Sequence, residues 1–282
     1  MISGSAYNLQ AEINRQNSLS TSIAQLQTDI SSGVKVHVAS DDPVAAAQIA
    51  QIRTTQADST TYSSNIDSAT ASTGLIDTNL ASVQTALDRV KEVMLAASNG
   101  TQSADDRATA ATQLQGILSD INGYASATDA NGQPLFTTGT PLAVPISRTQ
   151  TVTANDSYDA VFGGVTLSDG STSSISDIVT AAITALNNND TSAMATSLTN
   201  IDSAATHITD AHADVGIRET QLNTASDALA TYQTNLADQR QGLEDTDVTT
   251  AYATLSAKMA TLTAAQTVLS QLAQTSLFDK LS

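Results

Sequence analysis

The chain has 282 residues, 40% of them hydrophobic but only 3% aromatic, and it contains no Trp and no Cys. The absence of Cys excludes disulfides, thiolate metal sites and Cys nucleophiles, and the shortage of rings argues against a large globular enzyme core, which uses aromatics for bulk. Eleven Lys and Arg against 28 Asp and Glu leave a net charge of −17, which argues against nucleic acid and anionic membrane surfaces as partners.

The N-terminal run Met1-Ile2-Ser3-Gly4-Ser5-Ala6 lacks the basic and apolar regions of a Sec signal peptide. The expectation is a protein that stays inside the cell or leaves without a cleaved signal. Leu19, Ile23, Leu26 and Ile30 are spaced 4, 3 and 4, which puts an apolar stripe on a first helix ending at Ser31-Ser32-Gly33. Val34, Val36 and Val38 alternate with Lys35 and His37, which predicts a short half-buried strand with His37 facing solvent. In Ser40-Asp41-Asp42-Pro43, Asp42 is placed to cap a helix whose first residue is Pro43. Capping explains the carboxylate pair better than acid–base chemistry does.

The second helix is predicted from Pro43 to about Ala97, a length of about 80 Å. Ile66, Thr73, Leu80, Leu87 and Met94 recur every seven residues in it, interleaved with Ile76, Val83, Val90 and Ala97. Such a repeat buries a narrow seam against another helix. Ser103 followed by Asp106 predicts a capping box opening a third helix that carries Leu114, Ile117, Ile121 and Tyr124. It ends before Asp129-Ala130-Asn131-Gly132, a turn that begins like a calcium loop but lacks the remaining ligands.

Three of the four prolines (Pro134, Pro141 and Pro145) then fall within 12 residues. The runs Ala143 to Val152 and Tyr158 to Leu167 have β character, so this stretch is either a small β-rich module or an elaborated loop. Helix returns at Ile175 to Leu186 and breaks at Asn187 to Asp190. The frame Met194, Ile201, Ile208, Val215, Leu222, Leu229, Leu236 and Leu243 follows, each position seven after the last. It breaks at Glu244-Asp245-Thr246-Asp247, and a last helix carries Val248, Tyr252, Leu255, Met259, Leu262 and Leu269. Two matching frames in opposite halves predict a mainly α fold, a long antiparallel helical bundle with a small β-rich centre. The terminal stripes need a partner, either each other or neighbouring subunits.

His207 and His212 are five apart and do not stack as a helical zinc pair does. No phosphate cradle, nucleophile elbow or 18-residue apolar run occurs. The residues point to no enzyme, cofactor, metal or membrane span.

Ile30-Ser31-Ser32-Gly33-Val34-Lys35-Val36 with Ser40-Asp41-Asp42-Pro43-Val44-Ala45-Ala46 resembles the N-terminal region of the bacterial flagellin superfamily. Asp-Asp-Pro looks like its hook-associated protein 3 branch. So do Ala97-Ser98-Asn99-Gly100-Thr101 with Asp105-Asp106-Arg107, Asp129-Ala130-Asn131-Gly132 with Leu135-Phe136, and Ser276-Leu277-Phe278-Asp279. Ala213-Asp214-Val215-Gly216-Ile217-Arg218 is similar to a further family segment, whereas Lys280 stands where the family has an aromatic.

The resemblance implies a structural subunit at the hook–filament junction, outside the cell, exported without a cleaved signal. Its expected partners are copies of itself in a ring, neighbouring hook-associated protein and flagellin subunits, and an export chaperone on the C-terminal helix. Terminal helices disordered in the free monomer are also implied. Residues 1–32 with 248–282 are expected to form an inner assembly domain. Residues 33–132 with 175–247 would be a helical rod, and 133–174 an outer module. The assembly interface is expected at Leu19, Ile23, Leu26, Ile30, Tyr252, Leu255, Met259, Leu262, Leu269 and Leu272, with Gly33, Asp41, Asp42 and Pro43 as linker and cap. The alternatives are filament flagellin, a bulk subunit, or an adhesin or glycan-binding homologue.

Overall fold

The computed structural model describes the backbone of residues 2–278 and the side chains of residues 10–271. Among the described residues seven helices carry the fold: α1 (Ile2–Ser32), α2 (Pro43–Ala97), α3 (Ala104–Ala125), the single-turn α4 (Tyr158–Val161), α5 (Ile175–Asn187), α6 (Thr191–Glu244) and α7 (Val248–Phe278). Six strands of two or three residues lie between α3 and α5: β1 (Phe136–Thr137), β2 (Ala143–Pro145), β3 (Thr151–Thr153), β4 (Asp156–Ser157), β5 (Val165–Thr166) and β6 (Thr172–Ser173). The chain forms two compact units, one of Met1–Gln56 with Gln233–Ser282 and one of Ala57–Tyr232.

In the second unit the seven-residue frames form the core. On α2, Ile66, Thr73, Leu80, Leu87 and Met94 are buried together with Ile76, Val83, Val90 and Ala97. On α6, Met194, Ile201, Ile208, Val215 and Leu222 are buried. Ion pairs and hydrogen bonds beside the seam set its direction. Asp77 meets His212 at 2.6 Å, Gln84 accepts from Thr209 at 3.3 Å, and Lys91 meets Asp202 at 2.6 Å. Rising numbers on α2 face falling numbers on α6, so the helices are antiparallel. Each fully buried large apolar side chain contributes about 1.5–3 kcal/mol, and the seam named here carries a dozen such positions.

α3 and α5 pack against each other and widen this core. The predicted capping box is present: Ser103 Oγ accepts from the Asp106 amide, and Asp106 Oδ2 accepts from the Ser103 amide. Ser174 caps α5 with its side chain alone, Oγ accepting from the Asp177 amide. Buried Leu114, Ile117 and Ile121 of α3 join Ile178, Val179, Ala182 and Ile183 of α5 in one cluster with the seam. Arg107 ties the helix ends together. Its Nε donates to the Ala97 carbonyl at 3.2 Å, and its Nη1 donates to Asn189 Oδ1 at 3.2 Å in the α5–α6 turn.

The central stretch is a minor module of three separate strand pairs, β1 with β4 in parallel, β2 with β3 and β5 with β6 antiparallel. The expected β run from Tyr158 to Leu167 begins instead with α4, because Ser157 Oγ accepts from the Ala160 amide and starts a helical turn. The run from Ala143 to Val152 is broken into a hairpin, where Ser147 Oγ accepts from the Thr149 and Gln150 amides.

The module owes its order to docking. Phe162 is buried edge-on to Phe136, with ring centroids 4.9 Å apart, and both belong to the main core. The β2–β3 hairpin inserts Ile146 and Val152 against Ile66, Ala69 and Leu222, and Asn65 Nδ2 donates to the Pro145 carbonyl at 2.8 Å. Asp129 Oδ1 accepts from the Asn131 and Gln133 amides, both at 2.8 Å, so Asp129 to Gly132 is the predicted turn.

Candidate assembly face and connectors

In the first unit the opening and closing helices, α1 and α7, pack against each other. Ile23 is buried, while Leu19, Leu26 and Ile30 are half-buried. From α7, Leu255, Leu262 and Leu269 are half-buried and Ala251 is buried. Lys258 donates to Ser22 Oγ across the pair. Two members of the expected interface are left largely in solvent: Tyr252 is 65% exposed and Met259 49%. Leu272 continues α7, but its side chain lies outside the described residues, as do Asp279 and Lys280 altogether.

The segment between α1 and α2 is not the alternating strand that its valines suggest. Gly33 ends α1 at a φ of 73°, a left-handed conformation suited to Gly, and Val34 forms a single antiparallel bridge with Asp245. Two hydrogen bonds flank that bridge. The Lys35 amide donates to the Glu244 carbonyl at 2.8 Å, and the Thr246 amide donates to the Gly33 carbonyl at 2.9 Å. No further ladder follows, because the chain curls around Asp41, whose Oδ2 accepts from the His37 and Val38 amides at 3.0 Å. Val38 is left exposed, and the His37 ring pairs with Asp29 at 3.0 Å. The two amides, Val38 first, hold the Asp41 carboxyl below its ordinary range.

Asp42 caps α2 as predicted, its Oδ1 accepting from the Val44 and Ala45 amides at 3.0 Å, and Pro43 is the first helical residue. Asp247 performs the same task for α7. Its Oδ1 accepts from the Thr249 amide at 3.0 Å and the Thr250 amide at 3.2 Å, and its Oδ2 accepts the Thr250 hydroxyl at 2.7 Å. That hydroxyl is the main reason the Asp247 pKa is lowered.

Arg53 anchors Glu244 at 2.8 Å beside the bridge. Sequence reasoning located both helix breaks but did not pair them. The signal was present, since one frame stops at Gly33 and the other at Glu244, and backbone groups released at a helix end take new partners.

The histidines have separate structural partners. His207 Nε2 bonds the Ala160 carbonyl at 2.9 Å, and His212 is held by Asp77. Among the described residues, no helix is long and apolar enough to cross a membrane. The arrangement is suited to packing: short polar connectors, a helix pair with partial burial, and apolar side chains left in solvent.

Residues 3–140 match the bacterial flagellin N-terminal helical region, and residues 198–281 match the bacterial flagellin C-terminal helical region. The chain is 38% identical over 112 residues to flagellar hook-associated protein 3 of Salmonella typhimurium, covering 40% of this chain and 35% of that protein. It is 38% identical over 107 residues to the protein of the same name in Escherichia coli, covering 38% and 34%. The matched stretch thus spans about a third of the length of these curated relatives. The fold is similar to the crystal structure of flagellar hook-associated protein 3 of Legionella pneumophila, with a TM-score of 0.64 at 18% identity over 69% of this chain and 98% of that one. Matched at both helical ends, which together make up well over half its length, the chain belongs to the bacterial flagellin family.

Proposed function

We propose that this chain is a structural subunit of the bacterial flagellum that joins hook to filament, and that it acts by packing and catalyses nothing. The observation that carries the reading is the pairing of the first and last helices with apolar side chains still in solvent. α1 and α7 pack against each other with Ile23 buried and Leu255 and Leu262 half-buried, yet Val248, Tyr252, Met259 and Val268 stay exposed. An apolar face of this kind is suited to burial by further subunits. The similarity to proteins named flagellar hook-associated protein 3 supports the junction over the bulk filament as the place of assembly.

On this reading, residues 1–32 and 248–282 form the assembly domain, 33–132 with 175–247 the rod, and 133–174 an outer module. Copies close into a ring whose neighbours are another hook-associated protein and flagellin. The subunit is exported without a cleaved signal, with a chaperone covering its C-terminal helix until then. The interface uses Leu19, Ile23, Leu26, Ile30, Tyr252, Leu255, Met259, Leu262, Leu269 and Leu272, while Gly33, Asp41, Asp42 and Pro43 form the connector.

Deletion of the gene tests the function. Cells that keep hooks but release unpolymerised flagellin support a junction subunit. Loss of the filament's bulk protein supports a filament flagellin instead, and unchanged filaments reject both. Leu262→Asp tests the mechanism: incorporation is lost while the second unit stays folded. Normal filaments from that variant would overturn the packing model.

A further inference from the structure

The chain contains three Asn-Gly pairs, Asn99-Gly100, Asn122-Gly123 and Asn131-Gly132. In such pairs the glycine nitrogen can attack the asparagine side chain with no Cβ in its way, which is why asparagine is a thermolabile residue. Reaction needs a glycine nitrogen free of other bonds and a backbone that lets it reach Cγ. The structure separates the three pairs by the bonds their glycine nitrogens and side-chain amides make.

Asn122-Gly123 lies inside α3, where the Gly123 nitrogen belongs to the helical ladder, and Asn122 Oδ1 is held by the Ser176 hydroxyl at 2.7 Å. In the α3–β1 turn the Gly132 amide donates to the Asp129 carbonyl at 3.0 Å, and the Asn131 amide donates to Asp129 Oδ1. Asn99-Gly100 follows the last turn of α2, and both residues are exposed. Among the described residues no acceptor takes the Gly100 N–H. The Thr101 amide donates to Asn99 Oδ1 at 3.2 Å, closing a ring that folds the side-chain amide over the Gly100 peptide and draws electron density from Cγ.

We infer that Asn99 is a site of spontaneous modification, converting through a succinimide to aspartate and isoaspartate while Asn122 and Asn131 are protected. The Gly100 nitrogen forms a bond to Asn99 Cγ and gives up its proton. The Cγ–Nδ2 bond breaks, and ammonia leaves with that proton. Water then opens the five-membered imide at either carbonyl, yielding a normal aspartyl bond or one rerouted through the side chain. Solvent is the only co-reactant.

The product adds a negative charge just past the C-terminus of α2, where the helix dipole disfavours an anion. The isoaspartyl form also lengthens the backbone by one carbon between α2 and α3. Because the inference rests on local geometry alone, it holds whatever the protein assembles with.

The full chain is incubated at mildly alkaline pH and digested with trypsin at intervals. Cleavage after Lys91, Arg107 and Arg148 places Asn99 in peptide 92–107 and both other pairs in peptide 108–148. Conversion of the first peptide is expected several-fold faster than that of the second, with all three sites converging in urea. Gly100→Ala supplies the control. A Cβ there meets no atom within 4 Å and φ is not positive, so the fold is kept while conversion at Asn99 falls several-fold. Equal rates for the two peptides in the native protein, or an unslowed Gly100→Ala variant, would overturn the inference.

Discussion

Arg218 of α6 grips Asp156 of β4 with both arms of its guanidinium, Nη1 to Oδ2 at 3.2 Å and Nη2 to Oδ1, and the side chains are only 12% and 15% exposed. Asp156 also donates its amide to the Leu135 carbonyl at 2.9 Å. This ion pair therefore adds a charged clamp between the minor module and α6 to the packing of Ile146 and Val152 on Leu222. Removing one partner leaves a half-desolvated charge, so Arg218→Ala is expected to cost about 2–3 kcal/mol, less than a fully buried pair because water still reaches it. Arg218→Lys keeps the charge but loses the fork and should fall between. Urea denaturation of the two variants and of Asp156→Asn tests this, and a loss under 0.5 kcal/mol, on the order of a surface pair, would refute it.

The seam distinguishes neighbours on one helix. Leu80 is fully buried, whereas Leu95 is 54% exposed. Leu80→Ala should cost about 2–5 kcal/mol, and Leu95→Ala less than about 0.5 kcal/mol. Similar midpoints for the two would contradict the register described for α2.

Arg107 bridges two helix ends through uncharged acceptors. Arg107→Ala removes hydrogen bonds to Ala97 and Asn189, with an expected loss of about 1–3 kcal/mol. Hydrogen exchange should rise at the end of α2 and in the α5–α6 turn. A rise confined to the start of α3 would mean that the substitution acts only on its own helix.

The capping carboxylates set an acid limit. Asp106 is held below its ordinary pKa by the Ser103 hydroxyl and then the Ser103 amide, and Asp247 by the Thr250 hydroxyl and then its amide. A carboxyl whose folded pKa is depressed adds stability above its unfolded value, about 3.9, and loses it as pH falls through the folded value. The contribution of these two caps should thus be flat above about pH 5 and decline below 4. In Asp106→Asn with Asp247→Asn the decline should be shallower, measured by thermal unfolding across that range. An unchanged slope would show that other carboxyls dominate.

The two units should also differ in how readily they open. Ile23 and Ala251 are the buried apolar residues described in α1 and α7, against the continuous buried rows of α2 and α6. Amides of α1 and α7 are expected to exchange faster than those of 76–94 and 194–222 in native-state hydrogen exchange. Equal protection would show that the terminal pair is as stable as the seam.

Much of this was legible in the sequence, because a seven-residue repeat reports the buried side of a helix directly. The nine seam positions read on α2 are all buried, and on α6 Leu229 and Leu243 are only half-buried. Caps at Ser103 and Asp42 were equally legible, since each rests on residues three or fewer apart. The misreadings have different causes. Val34 to Val38 alternates like a strand, but its pairing partner lies some 200 residues away and offers a single bridge. Tyr158 to Leu167 has strand-forming residues, yet Ser157 decides locally for a helical turn. The docking of Ile146 and Val152 on Ile66 and Leu222, and the grip of Arg218 on Asp156, depend on distant contacts that no local pattern encodes.

The bridge between Gly33–Lys35 and Glu244–Thr246 has a mechanical consequence. The two connectors that lead to the terminal helices are hydrogen-bonded to each other, so they behave as one two-stranded tether. A pull transmitted equally by α1 and α7 loads both strands along their length and leaves the bonds between them unstretched. A pull on one helix alone shears those bonds. The tether therefore resists tension shared by both ends of the chain and yields first to an uneven load.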